Sequence, residues 1–188
     1  MMKTNLTSAI LACTGILASV APSQAQPRAP VAFNKAITIE VVAGQNAQIK
    51  GGDWDDKAQK IALRVKFINS DSYQSYDGYT ATVSAFGQAV LDPTVRRVLM
   101  QQQIPLTIPP RKTVEHACEP VTTRFDKTGA RFGYFYDGWI VVVKDPSGKV
   151  VHIKATSQAL ESMPEKAVKL VKDACYKRNL DPTSGPSR

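Results

Sequence analysis

Five consecutive residues, Trp139-Ile140-Val141-Val142-Val143, are apolar throughout. Successive side chains of a strand point to opposite faces, so a strand built from them is apolar on both sides. Such a strand needs cover on both sides, unlike the half-wet strands of most antiparallel sheets. The flanking sequence gives it strand neighbours. Residues 131–136 read as one strand, Asp137-Gly138 as a tight hairpin turn, and residues 139–144 as the return. Asp145-Pro146-Ser147-Gly148 makes a further turn, and residues 149–156 complete a three-stranded meander. One cover is then an opposing sheet. The other is expected from the C-terminal region.

There the pattern predicts a helix. Ser162-Met163-Pro164-Glu165 matches a capping box, with Pro in the first turn where its missing N–H is harmless. Ala167, Leu170, Val171 and Ala174 come next at helical spacing, with Cys175 beside the stripe and Lys166, Lys169, Lys172 and Lys177 away from it. Asn179 and Pro182 end it.

Upstream, period-two alternation dominates. Residues 37–42 open the strand series. In residues 61–68, Ile61, Leu63, Val65 and Phe67 face one way, with Arg64 and Lys66 opposite. In residues 79–90, Ala81, Val83 and Ala85 point inward, and Thr80, Thr82 and Ser84 outward. Val95 to Met100 fits a strand or a short helix. Pro105, Pro109 and Pro110 confine the chain around them to a sheet edge or to irregular structure. Residues 113–124 are expected to hold one strand that places Cys118.

The ends of the chain locate the protein. Lys3, an apolar run at residues 9–21 and Ser23-Gln24-Ala25 form a secretory signal peptide, the run being too short for a membrane span. Cleavage after Ala25 makes the mature chain secreted, periplasmic or cell-surface, with no membrane span. The competing lipoprotein reading, a lipid-anchored Cys13, is disfavoured by bulky Leu11 and by the apolar run continuing past the cysteine. The organisation expected is a signal peptide (1–25), a loose proline-rich arm (26–36), one β-rich domain (37–180) and a disordered tail (181–188).

Export governs the reading of sulfur. Without the leader two cysteines remain, Cys118 and Cys175, and an oxidising compartment favours their pairing. Closing that loop stabilises by roughly 4 kcal/mol in the chain-entropy model. Two buried free thiols are the alternative. Zinc lacks ligands, with only His116 and His152 in the chain. The net charge of +8 at pH 7 suggests an acidic partner. Export removes nucleic acid from that set and leaves anionic glycans, the envelope, or plain solubility.

Chemistry is sparse. Glu115, His116 and Cys118 hold the residue types of a nucleophilic triad, but a disulfide would consume the thiol. His152, between Val151 and Ile153, reads as a strand residue. Asp53, Asp55 and Asp56 crowd one segment without the spacing of a calcium loop. No catalytic residue, cofactor or metal is expected. The segment at residues 69–79 (NSDSYQSYDGY) is the best ligand-binding candidate, because Tyr73, Tyr76 and Tyr79 could stack on a sugar or peptide.

The run Phe132-Gly133-Tyr134-Phe135-Tyr136-Asp137-Gly138-Trp139, with the valines after it, resembles small secreted immunoglobulin-like proteins of gut-dwelling Gram-negative bacteria. Some of these are associated with pilus-type gene clusters. The resemblance spans roughly residues 37–180 and transfers no functional residue. It implies a structural, adhesion or assembly role, with envelope proteins or a second copy of the chain as partners. The chain differs from true pilins in lacking their Gly-Phe cleavage junction and the Glu beyond it. The fold expected is therefore mainly β: an immunoglobulin-like antiparallel β-sandwich carrying a C-terminal α-helix tethered by the Cys118–Cys175 disulfide, with an α+β sheet as the runner-up. The function expected is a non-catalytic surface role, with a glycan- or peptide-binding module as the alternative.

Overall fold

The computed structural model describes residues 29–49 and 57–186, with side chains omitted at 47–49. The signal segment, Gly51-Gly52 and the acidic run at 53–56 lie outside the described residues. Among the described residues the order is α1 (Phe33–Ala36), β1 (Ile37–Ile49), β2 (Lys57–Asn69), β3 (Tyr76–Ala89), β4 (Val95–Ile108), β5 (Thr113–Ala117), β6 (Val121–Asp126), β7 (Phe132–Lys144), β8 (Val150–Ala155), α2 (Gln158–Glu161), α3 (Pro164–Ala167), β9 (Cys175–Lys177) and β10 (Pro182–Thr183). All pairings are antiparallel. The sheet runs β1-β2-β6-β7-β3-β4-β9-β10, with β5 on β2 and β8 on β7.

One arm of this sheet is β1, β2, β5 and β6. The other is β3, β4 and β7 to β10. Among the described residues they are stitched at two backbone pairs, Phe125 with Gly133 and Asp126 with Phe132. The arms share a core. Ile61, Leu63, Val65 and Phe67 from β2 meet Ala81, Val83 and Ala85 from β3, Ile104, Leu106 and Ile108 from β4, and Val141 and Val143 from β7. Each fully buried aliphatic side chain contributes about 2 kcal/mol relative to exposure. Alternation in β2 and β3 predicted these inward faces, although Ser84, read as outward, is also buried.

A second core lies on the far side of β7. Ile140 and Val142 join Phe86, Val98, Leu160, Ala167, Leu170, Tyr176 and Leu180. The double-faced apolar strand is therefore covered twice, as its composition demands. The second cover comes from the C-terminal chain but is not the expected helix. Only single helical turns form, at Gln158–Glu161 and Pro164–Ala167. The capping box does not close: Ser162 Oγ donates to the Ala159 carbonyl, and no side chain caps α3. Beyond Ala167 tertiary hydrogen bonds displace the helical ladder. Gln101 Nε2 donates to the Leu170 carbonyl, Asp173 N–H to the Val98 carbonyl, and Val98 N–H to the Ala174 carbonyl. A short helix is marginal alone, so this docking onto β4 wins.

Three further expectations change. Asp137-Gly138 is not a hairpin turn, because β7 runs straight through it. Asp137 is an extra residue between the pairs Gly87–Tyr136 and Phe86–Gly138, and the strand bulges there. Residues 113–124 hold two strands rather than one, broken at Cys118–Pro120, and both pair with β2. Cys118 and Cys175 are not bonded to each other; both are free thiols. Cys118 is buried in the shared core, with its N–H on the Leu63 carbonyl. Cys175, expected on a helix, instead sits on β9 opposite Arg97.

At the ends, Phe33 of α1 is buried, and Pro182–Thr183 pairs with Tyr176 and Cys175. No helix among the described residues is long and apolar enough to cross a membrane.

Candidate functional site

The feature with the clearest capacity for interaction is the outer edge of β1. Its thirteen residues pair with β2 along one side. Among the described residues no strand pairs with the other side. Alternation sets its two faces. Ile37 and Ile39 are buried, Val41 and Ala43 are half-buried at the rim of the core, and Thr38, Glu40, Val42 and Gly44 are exposed. Sheet edges present unpaired N–H and C=O groups, and proteins usually blunt them with short strands, charges or proline. β1 is long, lacks proline and carries a single charged residue, Glu40. Opposite Glu40 in the β2 register stands Lys66.

The tyrosine segment is divided. Tyr73 is 79% exposed, whereas Tyr76 is 1% exposed. The Tyr76 hydroxyl donates to the Val31 carbonyl. The Phe33 ring meets Tyr76 edge-on at 5.3 Å and stacks on Tyr79 at 4.9 Å. Burial raises the pKa of both hydroxyls. Asp71 folds the loop beneath them, its carboxylate accepting the N–H groups of Tyr73 and Gln74. The three tyrosines thus do not make one exposed platform: two anchor the arm at α1, and Tyr73 faces outward.

The triad residue types do not converge. Glu115 pairs with Arg64 at 3.1 Å and Lys66 at 3.6 Å. The neighbouring His116 lies on the other face of β5, with its Nε2 at 3.0 Å from Gln102 Nε2. Burial pushes the Cys118 thiol pKa up, which disfavours the reactive thiolate. His152 is half-buried on β8 near Phe33 and sits below its ordinary pKa, through burial first and Lys154 second. The described residues hold no cluster of three metal-ligating side chains.

An open cleft of about 480 Å³ lies where β6 and β7 diverge. Arg97, Leu99, Thr123, Tyr134 and Asp173 are among its walls. Arg97 reaches Asp173 at 3.0 Å and lies 5.6 Å from the Tyr134 ring centre. The Tyr134 hydroxyl is 3.5 Å from Cys175 Sγ, and burial with that contact pushes its pKa up to about 12. Sequence patterns do not reveal this cleft because its walls come from strands far apart in the chain and from an irregular C-terminal turn. They miss the free edge for a different reason: composition shows a strand, not whether both its sides are paired.

No family model matches the chain, and no curated protein does. Two solved structures are similar in part. A crystal structure from Akkermansia muciniphila shares 9% identity over 65% of this chain and 71% of its own, with a TM-score of 0.36. The X-ray structure of Northeast Structural Genomics Consortium target SoR45 shares 12% over 68% of this chain and 90% of its own, with a TM-score of 0.32. Similarity this low carries no functional argument, and the chain's own geometry has to supply one.

Proposed function

We propose that this is an exported, non-catalytic protein of the cell envelope or surface that works in assembly or adhesion, its two-armed sheet serving as an immunoglobulin-like module. The observation that supports this reading is the free edge of β1: thirteen residues long, one charge, no proline. Such an edge favours strand addition, in which main-chain hydrogen bonds supply affinity and alternate side chains supply fit. The signal segment gives the route to the envelope, and the resemblance of the β7 region to pilus-associated secreted proteins points the same way. The test is photo-crosslinking from position 42 in native cells, with intact-mass analysis of the product. A chain starting at Gln26 and linked to an envelope protein or to another copy is expected. A cytosolic chain that keeps its leader and links to nothing would overturn the reading.

Tyr73 favours a second reading, a glycan- or peptide-binding module, since an exposed tyrosine on a hydrogen-bonded loop is suited to stacking. On a glycan array, Tyr73→Ala should then abolish a signal that the wild type gives.

A further inference from the structure

We infer that the occupant of the β1 edge is β1 of a second copy, paired antiparallel about a two-fold axis at Val42. This rests on the assembly role proposed for the chain and specifies its partner.

Three observations select this arrangement. Val42 is 57% exposed on the outer face of the edge strand, one of the few large apolar side chains left open among the described residues. Val41 and Ala43 are half-buried at the rim of the core, on a side of β1 with which no strand pairs among the described residues. Glu40 is the one charged residue on the strand and already has Lys66 across from it.

Antiparallel pairing places residues of the same face opposite each other, and a two-fold axis through a residue pairs it with itself. With the axis at Val42, the two exposed valines cover one another. Val41 of each copy meets Ala43 of the other, and Glu40 meets Gly44. The inner face of one sheet then continues into the other with no charge against an apolar group. Other axes fit worse. At Glu40 the two carboxylates face each other. At Val41 each Glu40 lies on a valine. At Ala43 each Val42 meets only Gly44.

A second copy matches this edge in length, face pattern and charge without further assumption. The joined sheets also remove the hazard of a long bare edge, which otherwise invites open-ended aggregation.

The test combines light scattering with variants at an exposed site that leaves the fold alone. The wild type is expected to show twice the monomer mass. Val42→Lys, which sets two ammonium groups on the axis, should weaken the dimer by about tenfold or more, while Val42→Thr retains it. At protein concentrations low enough to keep every form monomeric, both should unfold at the wild-type urea midpoint, since Val42 is exposed. Under mild oxidation Val42→Cys should give a disulfide-linked dimer on a non-reducing gel, and Thr38→Cys should not. A monomeric wild type, or a dimer indifferent to Val42→Lys, overturns the inference. A monomer whose position 42 still crosslinks to another envelope protein overturns the second copy alone and leaves the assembly role standing.

Discussion

Gly133 and Gly148 take nearly the same left-handed backbone, with φ of 80° and 84°, in very different surroundings. Alanine at either position bears the steric cost of positive φ, about 1 kcal/mol. At Gly148, in the β7–β8 turn, an added Cβ would meet nothing within 4 Å, so Gly148→Ala should lose only that amount. At Gly133 the added Cβ would sit 2.0 Å from the Arg124 carbonyl oxygen and 2.9 Å from Phe125 Cα. Backbone has to move there. The two pairs that join β6 to β7 are lost with it, each hydrogen bond worth about 1 kcal/mol. The expected loss for Gly133→Ala is therefore about 3 kcal/mol or more. Urea unfolding monitored by tryptophan fluorescence reads both variants, with the difference taken from midpoints at constant m. Equal losses would refute the reasoning, because the close approach of β6 to β7 would then carry no weight.

Leu170→Ala should destabilise by about 3 kcal/mol in the same assay, as a cavity in the second core, while its neighbour Val171, 59% exposed, should change by less than about 0.5 kcal/mol. Thiol titration of the native protein should find Cys175 reacting before buried Cys118, with both reacting on denaturation and dithiothreitol leaving the thermal midpoint unchanged. The lowered pKa of His152 makes folding favour the neutral ring, so its contribution is complete above its ordinary value of 6.5 and lost as pH falls toward its folded value. His152→Gln should flatten the stability profile across that window. Asp126, held below the usual carboxylate range by the N–H groups of Thr128, Gly129 and Arg131, orders the 127–131 loop, and Asp126→Ala should raise proteolysis there first.

Local alternation made much of the fold legible. β2 and the inward face of β3 come directly from period two, and the apolar run in β7 foretold two covers. What misled were local signals that tertiary contacts override. Asp137-Gly138 has hairpin chemistry, yet β3 pairs on both sides of it and turns it into a bulge. The helical stripe after Pro164 has the right spacing, yet Val98 and Gln101 capture its backbone. The disulfide was inferred from compartment and count, neither of which carries the distance between two residues. The site was less legible still. Tyr76 and Tyr79 look like recognition residues by composition, but Phe33, just ahead of β1, packs on both and draws them inward. Exposure of one side of β1 is a property of the whole topology, which no local pattern encodes.

β7 belongs to both hydrophobic cores, lending Val141 and Val143 to one and Ile140 and Val142 to the other. Neither layer can melt while the other keeps this strand in place. The C-terminal wrap and the β1–β2 arm should therefore denature in one concerted event, and damage on either flank should be felt as a global loss rather than a local fraying.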